Sequence, residues 1–349
     1  MFNVHSPRPW QRPEPGSVLP ESAWLSRREI LRALGFGGLC AALGSGCGAA
    51  QGFDGDDETA QETGGGEGGD AKRFYPASDR WVPEWRPAGG PELYPAERNL
   101  EYNPGRPLTP EDKAAKYNNF YEFLPTGAGP VYRYTDKFEP RPWTITIAGE
   151  VEEERTVDLD EVATIAPLEE RFYRFRCVEA WSMTVPWTGL PLADFVRWCR
   201  PKPTARFVRF VSFNKPDQAP GMRRAPWYDW PYYEGLRMDE ALHPLTLLTT
   251  GIYGHGLPAQ HGAPIRVVVP WKYGYKSPKS IVRVEFVTEQ PLTFWEERQP
   301  REYPFLSNVE PDVPHPRWSQ RSERDIATGD RRPTLLYNGY ANEVGKLYS

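Results

Sequence analysis

The stretch RFYRFRCVEAWSM, residues 171–183, alternates large apolar side chains with arginines up to a single cysteine, Cys177. That period marks a strand, expected over residues 172–178, with the cysteine carried to its end. Arg171, Arg174 and Arg176 precede the sulfur and Glu179 follows it. Nearby guanidinium charges favour the thiolate, the form that ligates a soft metal or attacks an electrophile. The residues alone leave three roles for Cys177: metal ligand, nucleophile or satisfied core thiol. Zinc is disfavoured, because no CxxC pair accompanies the cysteine and the five histidines are scattered. A nucleophilic cysteine needs a base close in the fold, which His243 or His261 could supply. Glu179 and Trp181 stand where they could shape a substrate mouth, although an ion pair and a buried indole explain them as well.

Outward from this stretch the pattern continues. Residues 143–148 (WTITIA) alternate polar and apolar and stop at Gly149, a strand and a turn. Asp158 followed by Glu161 forms a capping-box pattern before a short helix. Leu192, Phe195, Val196 and Cys199 fall at i, i+3, i+4 and i+7, one apolar helical face. Cys199 is thereby explained as a small core hydrophobe, with a disulfide to Cys177 as the alternative that two cysteines in an exported chain suggest. Residues 205–213, 264–271 and 280–287 read as further strands, the last two joined by KYGYKSPK, which by itself looks like a solvated basic turn. No repeat or low-complexity seam divides the chain after residue 70. The reading is a β-rich α+β fold in a single domain, with residues 71–112 as an extended arm wrapped around it.

The totals agree. In 349 residues, a hydrophobic fraction of 39% supports a sizeable core, while 38 prolines and 31 glycines imply much irregular chain between short strands. A formal charge of −5 leaves no basic excess for nucleic acid.

The first seventy residues carry an address. SRREILR at 26–32 places two arginines before a weakly apolar run from Ala33 to Cys47, the twin-arginine export pattern. That run falls short of the ~20 apolar residues a membrane span needs. Residues 1–47 are therefore read as a signal region for a periplasmic protein exported folded, a route that implies a cofactor inserted beforehand. Residues 48–70, acidic and glycine-rich, form a disordered linker. Cys47 resembles a lipoprotein cleavage site, with leucine one position early; lipid anchoring and soluble export with nearby cleavage are both open.

The ordered strings YNNFYEF (117–123), RFRCVEAWSM (174–183), HPLTLLTTGIYG (243–254), GAPIRVVVPWKYGYKSPKSIV (262–282), HPRWSQ (315–320) and PTLLYNGYA (333–341) resemble the catalytic subunits of periplasmic protein-methionine-sulfoxide reductases. The likeness spans about residues 108–348. It implies a sulfite-oxidase fold for residues 113–349, binding one Mo-molybdopterin per chain, with Cys177 as the metal ligand. Family cofactor contacts fall on Asn118, Tyr121, Glu122, Ser212, His261, Arg266, Ser277, Pro278 and Lys279. Amide, phenol and carboxylate groups suit the pterin edge, while Arg266, Lys279 and loop N–H groups suit its phosphate. Ser212 stands where threonine is usual and keeps the hydroxyl. His261 stands where asparagine is usual, and a pH-dependent charge there would disturb the local redox tuning.

The implied reaction is oxygen-atom transfer that reduces methionine sulfoxide, free or in oxidised exported proteins, by a catalytic subunit acting as a monomer. The chain has no CxxCH heme motif, so electrons are expected from a heme-carrying membrane subunit. Sulfite oxidation or reduction of another S- or N-oxide is the alternative on the same fold. A tethered, cofactor-free binding module is the alternative of another class.

Overall fold

The computed structural model describes residues 93–349, which fall within one compact unit, Arg73–Ser349. The expected signal region, the linker and residues 71–92 of the arm lie outside the described residues. Those described form thirteen strands. The first seven are β1 (Glu97–Arg98), β2 (Thr144–Gly149), β3 (Arg155–Asp158), β4 (Glu169–Arg176), β5 (Trp181–Pro191), β6 (Phe207–Ser212) and β7 (Tyr233–Arg237). The remainder are β8 (Leu247–Ile252), β9 (His255–Gly256), β10 (Arg266–Val268), β11 (Ile281–Val287), β12 (Ser322–Asp325) and β13 (Arg331–Pro333).

They divide into two sheets. One has the order β3-β2-β11-β6-β7, with β2 and β11 parallel. The other runs β1-β4-β5-β12-β13, and β8 joins it along β5, bringing β9 and β10. The apolar sides of both feed one core, with Ile145, Ile147, Val208, Phe210 and Phe286 from the first and Tyr173, Val185, Trp187 and Leu248 from the second. The short helices fill around them, as α+β layering requires. Residues of the arm that are described run against the second sheet: β1 pairs with β4, and Thr109 N–H donates to Thr184 O at 2.8 Å.

Helix α1 (Glu111–Lys116) leads into the site. Helix α2 (Leu159–Val162) starts on the expected capping box: Asp158 Oδ1 accepts from Asp160 N–H at 2.9 Å, and Glu161 Oε1 accepts from Asp158 N–H at 3.2 Å. Helix α3 (Leu192–Cys199) buries Leu192, Phe195, Val196 and Cys199 along the expected face. Each full-sized apolar side chain on that face contributes roughly 1.5–3 kcal/mol of burial. Both described cysteines are free thiols, so the disulfide between Cys177 and Cys199 is not formed.

Two strand expectations need correction. The strand expected over 264–271 shrinks to β10, because Pro264 and Pro270 have no N–H to give a ladder. Strand β5, eleven residues long and buried along nearly its whole length, has no counterpart in the sequence reading. It shows no alternation, since both of its faces are covered, and it contains Pro186 and Gly189.

Candidate active site

Strands β4 and β5 form an antiparallel hairpin whose connection is Cys177–Ala180, closed by Cys177 N–H donating to Trp181 O at 2.9 Å. Ala180 takes a left-handed conformation, φ +62°. The hairpin thus presents the sulfur at its tip, only 7% exposed, into a pocket whose empty space, open solvent included, is about 920 Å³.

The opposite wall is the segment after α1, residues 118–122, held by a reciprocal backbone pair between Asn118 and Gly129. Helix α4 (Pro220–Arg224) supports it from behind. Gly221 is required there, because a Cβ would stand 2.3 Å from Tyr121 O and 2.5 Å from Glu122 O. The third wall is the stretch from Gln260 to Lys279. It crosses from β10 of one sheet to β11 of the other, with Val267 N–H donating to Pro278 O at 3.0 Å and Ile281 N–H to Ile265 O at 3.2 Å.

The expected solvated turn at 272–279 is instead interior. Lys272 Nζ meets Glu240 Oε1 at 2.6 Å, Lys276 Nζ meets Glu234 Oε2 at 2.6 Å, and all four side chains are buried. Carboxylates from distant segments neutralise these lysines, which a local reading of the loop does not reveal.

Of the sequence-derived site residues, Asn118, Tyr121, Glu122, Cys177, His261, Arg266 and Lys279 line the cavity together. Ser212, Ser277 and Pro278 do not. Ser212 Oγ donates to Lys279 O at 2.7 Å, Ser277 Oγ accepts from Val269 N–H at 3.1 Å, and Pro278 O receives Val267, so these three shape the loop from behind. The cavity adds Asn119, Trp187, Tyr232, Gln260, Tyr275, Trp295 and Tyr303, as well as Glu179 and Trp181. Asn119 had a signal in its neighbour Asn118; the aromatics converge from distant segments without any local pattern.

The electrostatics correct the thiolate expectation. Arg171 pairs with Glu169, Arg174 donates to Asn338 O and Gly339 O, and Arg176 pairs with Glu323, so the three guanidiniums serve other partners. Burial, reinforced by the Glu179 carboxylate, pushes the Cys177 thiol up to about 12. The thiol is therefore protonated at neutral pH, and a metal bound there would have to displace its proton. Its sulfur accepts from Asn119 Nδ2 and Glu179 N–H, each at 3.4 Å, and neither histidine is among these partners. His261 is buried beside Arg266, and burial first, then that cation, hold it down at about 3. It is neutral through the physiological range, so the expected pH-dependent charge does not arise.

The chain matches the family described as oxidoreductase molybdopterin binding domain over residues 131–295. It is 47% identical over 288 residues to the protein-methionine-sulfoxide reductase catalytic subunit MsrP of Ralstonia nicotianae, covering 80% of this chain and 83% of that one. The corresponding subunit of Burkholderia mallei is 52% identical over 236 residues, 66% of this chain and 71% of that one. The chain belongs to the MsrP family. Among solved structures, the sulfane dehydrogenase SoxCD from Paracoccus pantotrophus superposes with a TM-score of 0.38 at 14% identity over 44% of this chain and 40% of that chain, a likeness too loose to build on.

The cavity fits the molybdopterin that MsrP family membership implies. Asn118 Oδ1, Asn119 Oδ1, Trp181 Nε1, Trp187 Nε1, Gln260 Nε2 and His261 Nε2 are buried without hydrogen-bond partners among the described residues. All six belong to residues lining this cavity. Each such group left unmet costs about 1–3 kcal/mol, so their concentration calls for a polar ligand offering both donors and acceptors, as a pterin edge does. Arg266 and Lys279 add two cations for which no ion pair is found among the described residues. Among the described residues the Arg266 guanidinium donates to carbonyls, His261 O at 2.8 Å, Ser277 O at 3.2 Å and Val267 O at 3.4 Å, and lies over the Trp187 ring at 4.8 Å. Burial, and for Lys279 the neighbouring Arg266, press both toward losing their protons, a tension that a phosphate would relieve. No group of three or more His, Cys, Asp or Glu among the described residues could hold a metal unaided. A metal at Cys177 would therefore need its other ligands from a cofactor, and a dithiolene would offer soft sulfur that matches a thiolate.

Proposed function

We propose that this chain reduces methionine sulfoxide, free or in oxidised proteins, to methionine by oxygen-atom transfer at the cavity beside Cys177. The observation that carries the reading is the convergence, among the described residues, of a buried cysteine, six unmet polar groups and two cations without a salt bridge in one cavity of an MsrP-family chain. When bound, molybdenum on its pterin supplies the two-electron couple that takes up the sulfoxide oxygen.

Cys177 holds the metal, one per chain. Asn118, Tyr121, Glu122 and His261 meet the pterin edge, and Arg266 and Lys279 hold its phosphate. Ser212, Ser277 and Pro278 act behind them, fixing the loop that carries Lys279. Trp181, Trp295, Tyr303 and Met183 give the mouth an aromatic and thioether lining. Such a surface accepts a neutral sulfur side chain without needing to desolvate an anion. Glu179 Oε2 is held by Asn119 Nδ2 at 3.1 Å, which keeps a carboxylate beside the sulfur.

Sulfite oxidation would need a cationic wall for its anion. Among the described residues, the only lysine or arginine side chains lining the cavity are Arg266 and Lys279, and the phosphate would account for both. For the residues ahead of the fold we propose a twin-arginine signal at 1–47, a linker at 48–70, export to the periplasm and electrons from a heme-carrying membrane subunit. Among the described residues no helix is long and apolar enough to cross a membrane.

Assay of the purified, metal-loaded protein with a reduced dye and methionine sulfoxide tests the function, alongside sulfite and molybdenum analysis. Sulfoxide turnover with stoichiometric molybdenum is expected; absence of either overturns the reading. Cys177→Ser should stay folded and lose both metal and activity, since a hydroxyl is a poor soft-metal ligand. Cys199→Ser should keep its metal and lose about 1–3 kcal/mol of stability. Equal loss of molybdenum in the two variants would contradict the division of roles.

A further inference from the structure

The turn that carries Cys177 is gripped from outside the hairpin. Val178 O accepts from two side chains at once, Trp318 Nε1 at 2.7 Å and Gln320 Nε2 at 2.8 Å. Cys177 O accepts from the Arg176 guanidinium, and Ala180 O from Arg324 N–H at 2.9 Å. The gripping groups are themselves fixed. Trp318 stacks on His315 at 3.8 Å and 9° between planes, and Gln320 Oε1 accepts from Arg176 at 2.8 Å. Buried Glu323 then takes Arg176 Nε at 3.1 Å, Arg106 at 2.8 Å and Ser182 Oγ at 3.0 Å.

Val178 O and Glu179 N–H are opposite edges of one planar peptide group. Holding the carbonyl therefore aims the amide, and that amide is the one that donates to Cys177 Sγ at 3.4 Å. A hydrogen bond to a metal-bound sulfur withdraws electron density from it and so adjusts the potential of the metal.

We propose that Trp318 and Gln320 are positioning residues that lock the 178–179 peptide so that its N–H donates to the ligating sulfur, setting the reduction potential of the bound metal. The inference rests on Cys177 holding molybdenum, which the Cys177→Ser metal analysis tests separately. Loss of the lock frees the peptide to rotate, leaving the sulfur a stronger donor and the metal harder to reduce.

Trp318→Phe removes the indole N–H while keeping a ring on His315, and Gln320→Leu removes the second donor at similar volume. Both variants and their double combination are to be compared with the parent as metal-loaded protein. The readouts are melting temperature, molybdenum content, redox titration followed by the Mo(V) paramagnetic signal, and steady-state kinetics. Expected are a more negative midpoint potential and altered Mo(V) g-values, largest in the double variant. The kcat for sulfoxide should fall about tenfold, the scale on which outer-shell partners of a metal act, with little change in KM. Arg321→Gln, which disturbs an exposed surface pair with Asp312 and leaves Val178 alone, should match the parent. A folded, metal-loaded Gln320→Leu or double variant with parental potential and g-values overturns the lock and leaves the proposed function standing. A parent protein without molybdenum overturns both.

Discussion

At the level of single side chains, Cys177 and Cys199 are alike in burial and differ in neighbours. Around Cys199 lie the apolar partners of α3, whereas Cys177 faces Asn119, Glu179 and a cavity edged with unmet polar atoms. The same scale explains why the arginines before Cys177 misled: Arg174 and Arg176 leave the strand on the face opposite the sulfur, Arg171 stands six residues before it, and all three found carboxylate or carbonyl partners. His261 yields a prediction with a definite sign. Its pKa is depressed to about 3 in the fold, so an unfolded chain binds a proton there near pH 6 that the folded chain refuses. The stability it permits is complete above its ordinary pKa and is lost as pH falls toward 3. Melting curves should show the parent losing about 1.4 kcal/mol more per pH unit than His261→Asn below about pH 6. Above that range the two should share one pH profile of turnover, and a divergence there would mean that the imidazole titrates after all.

Among the elements, the supports of the site are as specific as its lining. Gly221 of α4 touches the backbone of residues 121 and 122, so Gly221→Ala should push that segment into the cavity. Expected are a loss of about 1–3 kcal/mol and poorer retention of the pterin, read by melting temperature and cofactor content. Parental cofactor content in that variant would show that the segment has slack. What was legible in the sequence at this scale followed periodicity: β2, β4, β6, β11, the capping box of α2 and the face of α3 each carry their own pattern. Strand β5 was not, because burial on both faces erases alternation. The loop 272–279 was misread alone, because Glu234 and Glu240, which make its lysines tolerable inside, arrive from another part of the chain. Of the cofactor contacts proposed from family resemblance, six line the cavity, while Trp295 and Tyr303 became visible only once the chain was folded around them.

For the whole molecule, the proposed export signal and the cofactor cavity make one joint prediction. Replacing Arg27 and Arg28 by lysines should leave active, metal-loaded protein inside the cell, since the change touches the address and leaves the described fold intact; its appearance outside at parental levels would dismiss the signal. The walls of the cavity come from residues 118–122, the hairpin of β4 and β5, the crossing from Gln260 to Lys279, and the distant Trp295 and Tyr303. Any opening that separates the two sheets scatters all of these at once, and the pterin diffuses away with nothing left to retain it. Heat inactivation should then be a one-way event governed by a lifetime, and a cooled sample should regain its secondary structure without regaining turnover.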